Sequence, residues 1–217
     1  MEKPLSKYID HTLLANTASE AQIRKLCAEA LQYDFWSVCV NSAYTGLAAS
    51  LVHVPGSNVK VTTVVGFPLG QMSTTAKVEE AKDTIFNGAD EIDTVINVAW
   101  LKDRKYKEIS YELERLRKTC GSRILKVILE TCELTDEEIT KACELCKAAS
   151  ADYVKTSTGF DPKGGASLHA VEVMKKACGD FPHIKASGGI RTKEEFLAYI
   201  KAGADRIGTS HGIDLIK

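Results

Sequence analysis

Three lysines occupy positions where an ammonium group is costly. Lys126 sits in ILKVILE (124–130), Lys155 in YVKTST (153–158) and Lys185 in HIKAS (183–187), runs otherwise rich in apolar and β-branched residues. A strand covered on both faces should be nearly continuous in apolar residues, because desolvating an unpaired charge is expensive. A single strand lysine commonly points outward and keeps its charged head in water. Three of them, at intervals of 29 and 30 residues, about one strand–helix unit each, point instead to a shared interior. Burial and neighbouring ammonium groups both disfavour the charged form of an amine, which frees a lone pair for attack on a carbonyl. The chemistry expected is a Schiff base, with Asp93 of EIDTVIN (91–97) as its acid/base partner. Spacing alone does not choose the nucleophile among Lys126, Lys155 and Lys185.

The elements that would carry these residues alternate regularly. Strand-like runs lie at 8–14, 37–41, 60–67, 91–97, 124–130, 153–158, 183–187 and 206–210, with amphipathic patterns such as AQIRKLCAEAL and DEEITKACELCKAA between them. Ser19 with Gln22, Thr135 with Glu138 and Thr192 with Glu195 form capping boxes that mark helix starts. Eight such units predict an α/β fold, a (β/α)8 TIM barrel with a short C-terminal helix, as one domain over residues 1–217. An open doubly wound sheet is the alternative, but its Gly-rich G-x-G-x-x-G turn after the first strand is missing.

An internal repeat supports the barrel. GADEIDT (88–94), SADYVKT (150–156) and GADRIGT (203–209) share a small residue, Ala-Asp, one variable residue, Ile or Val, and a final Thr. Aligned, they put Asp93, Lys155 and Gly208 at the same point of strands four, six and eight. Alternate strands of such a barrel share an interior layer, so Asp93 and Lys155 should face one space, with Gly208 leaving room beside them. The ends of the last strands carry a second signal in STG (157–159), SGG (187–189) and TSHG (209–212). Glycines let backbone N–H groups approach an anion closely, a following helix N-terminus adds its dipole, and barrels often bind phosphate at this place.

Bulk properties narrow the classes. At 217 residues and 44% hydrophobic, the chain is long enough for one sizeable core. Its 28 basic and 29 acidic residues are interspersed, so neither nucleic acid nor an anionic membrane is an expected partner. No apolar run approaches the roughly 20 residues that span a bilayer. The start, MEKPLSKYID, lacks the apolar segment of a secretory signal, and an odd count of seven cysteines points to reduced thiols, hence to the cytoplasm. Cys143 and Cys146 lie in a helical pattern with no second pair, so core packing is expected rather than zinc. The histidines at 11, 53, 169, 183 and 211 show no metal-ligand spacing, and no metal is expected. Cys39, on an even strand like Asp93 and Lys155, is expected to be a small core residue.

Taken together, GADEIDTVIN, LKVILET, YVKTSTGF, IKASGGIRT and GADRIGTS make the chain resemble the deoxyribose-phosphate aldolases. These are class I enzymes that cleave 2-deoxy-D-ribose 5-phosphate to glyceraldehyde 3-phosphate and acetaldehyde. The resemblance runs from YIDHTLL to GTS, nearly the whole chain. It implies that Lys155 of KTSTG forms the Schiff base, that Lys185 of KASGG is a second catalytic lysine, and that Asp93 of EID is its proton-relay partner. Lys126 would give electrostatic support, while Gly159, Gly188, Gly189 and Ser210 would hold the phosphate. The implied partners are the sugar phosphate and acetaldehyde, with no cofactor. A homodimer or higher homo-oligomer is compatible with such a barrel, though no interface is legible. Two departures stand out. The sequence closes on GIDLIK without the tail tyrosine that assists proton transfer in some longer relatives, which implies that this help is absent or replaced. His211 stands beside the phosphate loop where small residues are usual. A phosphosugar isomerase, needing no covalent amine, and a non-catalytic sugar-phosphate binder, needing no buried lysines, are the alternatives on the same barrel.

Overall fold

In the computed structural model, which describes residues 3–217, eight parallel strands close into a barrel in chain order. They are β1 (Ile9–Leu13), β2 (Ser37–Val40), β3 (Lys60–Val65), β4 (Glu91–Val95), β5 (Ile124–Ile128), β6 (Tyr153–Lys155), β7 (His183–Ser187) and β8 (Arg206–Thr209). The surrounding helices are α1 (Glu20–Gln32), α2 (Thr45–Val52), α3 (Thr74–Phe86), α4 (Val98–Lys102), α5 (Tyr106–Cys120), α6 (Asp136–Ala148), α7 (Leu168–Cys178), α8 (Lys193–Lys201) and α9 (Gly212–Ile216). All three capping boxes form, at the starts of α1, α6 and α8. The five residues of α9 are the short C-terminal helix.

Alternation along the strands separates two interiors. Ile9, Val38, Val61, Ile92, Leu125, Val154, Ile184 and Ile207 turn outward and pack with helix residues such as Leu26, Leu116, Ile139 and Phe196 into the apolar core. Each such side chain contributes roughly 1.5–3 kcal/mol by leaving water. The residues between them face the barrel axis and are mostly polar. Strand parity sorts them into layers: Ser37, Glu91, Tyr153 and Arg206 lowest, then Asp10, Thr62, Lys126 and Lys185, then Cys39, Asp93, Lys155 and Gly208 toward the C-terminal mouth. Branched apolar residues dominate the interior of most such barrels. Here the main apolar core lies outside the sheet, and the inside holds charge beside a small cluster of Leu14, Cys39 and Val64.

The repeated small–Ala–Asp unit seats the even strands. Gly88, Ser150 and Gly203 end the preceding helices in the left-handed region, at φ +102°, +57° and +111°. Two residues on, an aspartate grips both backbone groups of one residue in the neighbouring strand. The Asp90 amide donates to Val61 O at 2.8 Å while its carboxylate accepts from Val61 N at 2.8 Å. Asp152 does the same to Leu125 (2.9 and 2.7 Å), and Asp205 to Ile184 (2.8 and 3.2 Å). These clamps fix the register of β4, β6 and β8, and register decides which side chains face inward. At Gly208 a Cβ would lie 3.1 Å from Lys185 Cε and 3.0 Å from Ser187 Cβ, so the missing side chain is the space Lys185 occupies.

Most strands stop a residue or two short of the runs that predict them, and β6 stops three short. β6 ends at Lys155, although the β-branched run extends to 158. The Thr156 amide still donates to Lys185 O at 3.0 Å, but the Thr158 amide and hydroxyl both turn to the Glu130 carboxylate. Beyond Thr156 the chain therefore leaves the ladder, with Ser157 and Thr158 in a buried loop. Lys155 is delivered at the C-terminal end of β6, the end at which these barrels carry their chemistry.

Candidate active site

The clamped strands bring Lys126, Lys155 and Lys185 onto one carboxylate. Asp93 Oδ1 lies 2.7 Å from Lys126 Nζ, and its Oδ2 lies 3.0 Å from Lys155 Nζ and 2.8 Å from Lys185 Nζ. All four side chains are buried. Lys126 has a second acid in Glu91, at 2.5 Å, and Lys185 has one in Asp10, also at 2.5 Å. Among the described residues Lys155 pairs with no acid beyond Asp93.

Burial disfavours the charged form of all three amines, and the compensation is what differs. For Lys155 burial wins: its pKa falls below the ordinary lysine value, Asp93 offsets only part of the loss, and the Lys185 charge adds to it. For Lys126 burial is outweighed by Asp93 and Glu91, and the pKa rises. For Lys185 it is outweighed by Asp10 and Asp93, and the pKa rises as well. Burial opposes the Asp93 carboxylate too, but Lys126, Lys185 and Lys155 together hold it well below its usual range. Lys155 is therefore the amine that gives up its proton first. Contacts with carboxylates thus set the three amines apart, which spacing does not.

A cavity of about 420 Å³ opens at the C-terminal mouth, within the size range of small-molecule sites. Among the described residues Lys155 is the one of the three lysines that lines it, with Asp93, Lys126 and Lys185 behind. Gly159, Gly188, Gly189 and Ser210 line the same cavity, as do the exposed Arg191 and His211. The loops after β6 and β7 are stitched together: Ser187 N donates to Thr156 Oγ1 at 3.1 Å and Ser187 Oγ to Ser157 O at 2.6 Å. Gly188 has φ +89°, and a Cβ there would meet Gly165 Cα at 3.0 Å and Gly159 Cα at 3.2 Å, so glycine is required where these turns touch. His211 Nδ1 lies 3.1 Å from Ser210 Oγ at the outer edge.

Cys39 is a core residue that also faces the interior. It packs with Leu14, Val64 and Phe67, and burial raises its thiol pKa, so it serves as an apolar wall beside the lysines. Cys143 and Cys146 lie in the apolar core outside the barrel. Five residues of the site region carry no role in the sequence reading: Asp10, Glu91, Arg206, Glu130 and Arg191. The repeat contained a signal for two of them. Glu91 and Arg206 fill its variable position, two residues before Asp93 and Gly208, and so share their inward parity.

An amine ready to lose its proton, set at the mouth of a (β/α)8 barrel and backed by an ionised acid and a second lysine, is the equipment of an aldolase. The comparisons agree. Residues 5–217 match the DeoC/LacD family of aldolases. The chain is 52% identical over 213 residues to the deoxyribose-phosphate aldolase of Finegoldia magna, covering 98% of this chain and 99% of that one. Among solved structures, QR15, an aldolase, superposes with a TM-score of 0.92 at 42% identity, over 98% of this chain and 94% of its own. The deoxyribose phosphate aldolase from Aeropyrum pernix, described as having a unique tetrameric structure, gives 0.87 at 32% identity, over 98% and 89%. The chain belongs to the DeoC/LacD aldolase family.

Proposed function

We propose that the protein cleaves 2-deoxy-D-ribose 5-phosphate reversibly to D-glyceraldehyde 3-phosphate and acetaldehyde through a Schiff base on Lys155. The observation that carries this reading is that Lys155 both lines the cavity and pairs with only one, shared, carboxylate. The neutral amine adds to the C1 aldehyde of the open-chain sugar, and loss of water gives an iminium. A water held by Asp93 and Lys185 takes the proton of the C3 hydroxyl. The oxygen's electron pair forms the new carbonyl at C3 as the C2–C3 bond breaks, and the bonding pair moves into the iminium to leave an enamine. Glyceraldehyde 3-phosphate departs. Protonation at C2 and addition of one water release acetaldehyde and return the free amine.

The remaining roles follow from charge and access. Lys126 keeps Asp93 ionised for the relay. Gly159, Gly188, Gly189 and Ser210 hold the phosphate, and Arg191 at the same rim supplies a counter-charge. A homo-oligomer is the assembly taken forward, supported by the tetrameric relative from Aeropyrum pernix. The cytoplasm is the compartment taken forward, supported by seven free cysteines. No helix among the described residues is long and apolar enough to cross a membrane.

The test is release of acetaldehyde from 2-deoxyribose 5-phosphate before and after exhaustive chelation. The rate should be unchanged, because the iminium is the electron sink that a metal supplies in other aldolases. Activity lost and restored by zinc, or a phosphosugar converted without acetaldehyde, would overturn the reading.

A further inference from the structure

Beneath Lys155 the barrel encloses a charged pair that the mechanism does not use. Arg206 Nη1 lies 2.7 Å from Asp10 Oδ1 and 3.2 Å from Glu91 Oε2, and both Arg206 and Glu91 are no more than 2% exposed. The guanidinium lies over the Trp36 ring, 4.3 Å from its centroid, and 5.3 Å from that of Tyr153. Trp36 Nε1 donates to Glu91 Oε1 at 2.7 Å, and Thr62 Oγ1 to Oε2 at 3.1 Å. Arg206 Nε has no acceptor among the described residues. A buried ion pair is a weak source of stability, and this one leaves a donor unpaired, so its return must lie elsewhere.

Counting the enclosed charges shows where. The carboxylates facing the axis are Asp10 on β1 and Glu91 and Asp93 on β4; the cations are Lys126 on β5, Lys155 on β6, Lys185 on β7 and Arg206 on β8. Cys39 on β2 and Tyr153 on β6 add no charge near neutral pH, since burial raises both. Below the closed end Lys3 donates to Asp205 O, and β3 contributes Thr62 and Val64. Three acids thus meet four cations. With all four charged, the interior would hold one surplus positive charge in a medium that penalises it. Arg206 does not give up its proton. Lys126 and Lys185 each touch two acids within 3 Å, and Lys155 touches one. The surplus falls on Lys155.

We propose that Glu91 and Arg206 are positioning residues for the aldolase reaction: they set the number of charges sealed in the barrel and hold Lys126 and Asp10 in their pairs, so that Lys155 is the neutral amine. The inference rests on the Schiff-base reading of Lys155.

Two charge-removing changes should act in opposite directions. In the unaltered protein kcat/KM rises with pH as Lys155 loses its proton. Arg206→Gln leaves three acids with three lysines, so Lys155 keeps its proton longer and the rise moves up by about one pH unit. Glu91→Gln leaves two acids with four cations, and the rise moves down by about the same amount. The Glu91→Gln/Arg206→Gln variant restores a surplus of one, and its profile should return close to the parent's. A merely structural role would lower activity without separating the two profiles. Borohydride trapping on Lys155 of the unaltered protein is measured alongside, and absence of that adduct would sink the Schiff-base reading itself. An adduct with single-variant profiles unmoved, or moved the same way, overturns the role of Glu91 and Arg206. Should a single variant not fold, the double variant decides: recovered folding and profile support the proposal, and a double no better than the worse single overturns it.

Discussion

Lys155 and Lys185 are register partners on adjacent strands, and both amines reach the same oxygen, Asp93 Oδ2, at 3.0 and 2.8 Å. Their chemistry differs because Lys185 also holds Asp10 at 2.5 Å. The extra acid makes Lys185 a fixed charge and leaves Lys155 to titrate. Asp93 links the two, and it is the carboxylate through which the proposed relay would pass its proton.

Asp93→Asn keeps the shape of that link and removes its charge. kcat should fall roughly 10²–10⁴-fold, the range of a lost acid–base group. Lys155 should still form an adduct with acetaldehyde, since the nucleophile is intact. Steady-state kinetics beside adduct mass separate the two effects; a near-normal kcat would move the relay to another group.

Lys155 also loads the fold. Burial lowers its pKa, whereas the unfolded chain titrates near ~10.4. The unfolded state therefore binds the proton more tightly, and the contribution to stability rises with pH from the folded value up to ~10.4. Lys155→Met removes the burden. That variant, though inactive, should be more stable than the parent at neutral pH. The gap should shrink as pH rises. Guanidinium denaturation at several pH values measures it, and a gap that widens with pH contradicts the lowered pKa.

Gly189 tests the phosphate assignment. Its φ is +84°, and a Cβ there meets nothing within 4 Å, so a side chain projects into open space at the cavity wall. Aspartate tolerates that backbone region better than most residues and adds a repelling charge. Gly189→Asp should raise KM for the phosphorylated sugar by about tenfold or more, a loss of roughly 1.4 kcal/mol. The unphosphorylated sugar should react nearly as before. Equal damage to both substrates would remove phosphate from this rim.

A second buried pair tests the separation of fold from function. Lys77 on α3 reaches Glu112 on α5 at 2.6 Å and donates to Val95 O at 2.8 Å, with both side chains buried outside the barrel. Burial lowers the Lys77 pKa and raises that of Glu112. Lys77→Met alone should cost about 3–5 kcal/mol, because it strands a buried carboxylate. Lys77→Met/Glu112→Leu should recover most of that in urea denaturation. A double variant as unstable as the single would mean that the pair contributes more than its desolvation costs.

The lysines were legible because an ammonium inside an apolar strand breaks the strand's pattern. Asp93, Lys155 and Gly208 fell into one layer because their shared Ala-Asp is a clamp that fixes register, and an alignment captures register. Asp10 was not legible, and Glu91 and Arg206 carried only the faint signal of the repeat's variable position. Charged residues at strand starts are ordinary where the end is open to water, and only closure, with Trp36 and Tyr153 flanking Arg206, seals them in. The length of β6 was hidden as well, since Glu130, itself at φ +57°, draws Thr158 out of the ladder from 28 residues away. Spacing left the three lysines equivalent, and Lys155 was singled out only by the resemblance of KTSTG; the acids that set the amines apart come from β1 and β4, and no linear spacing holds that information.

The most direct measurement is peptide mapping by mass after borohydride reduction in the presence of acetaldehyde. The account predicts a two-carbon group on the peptide containing Lys155, none on Lys126 or Lys185, and loss of both adduct and turnover in Lys155→Ala. An adduct confined to Lys126 or Lys185, or turnover that survives in Lys155→Ala, would contradict it.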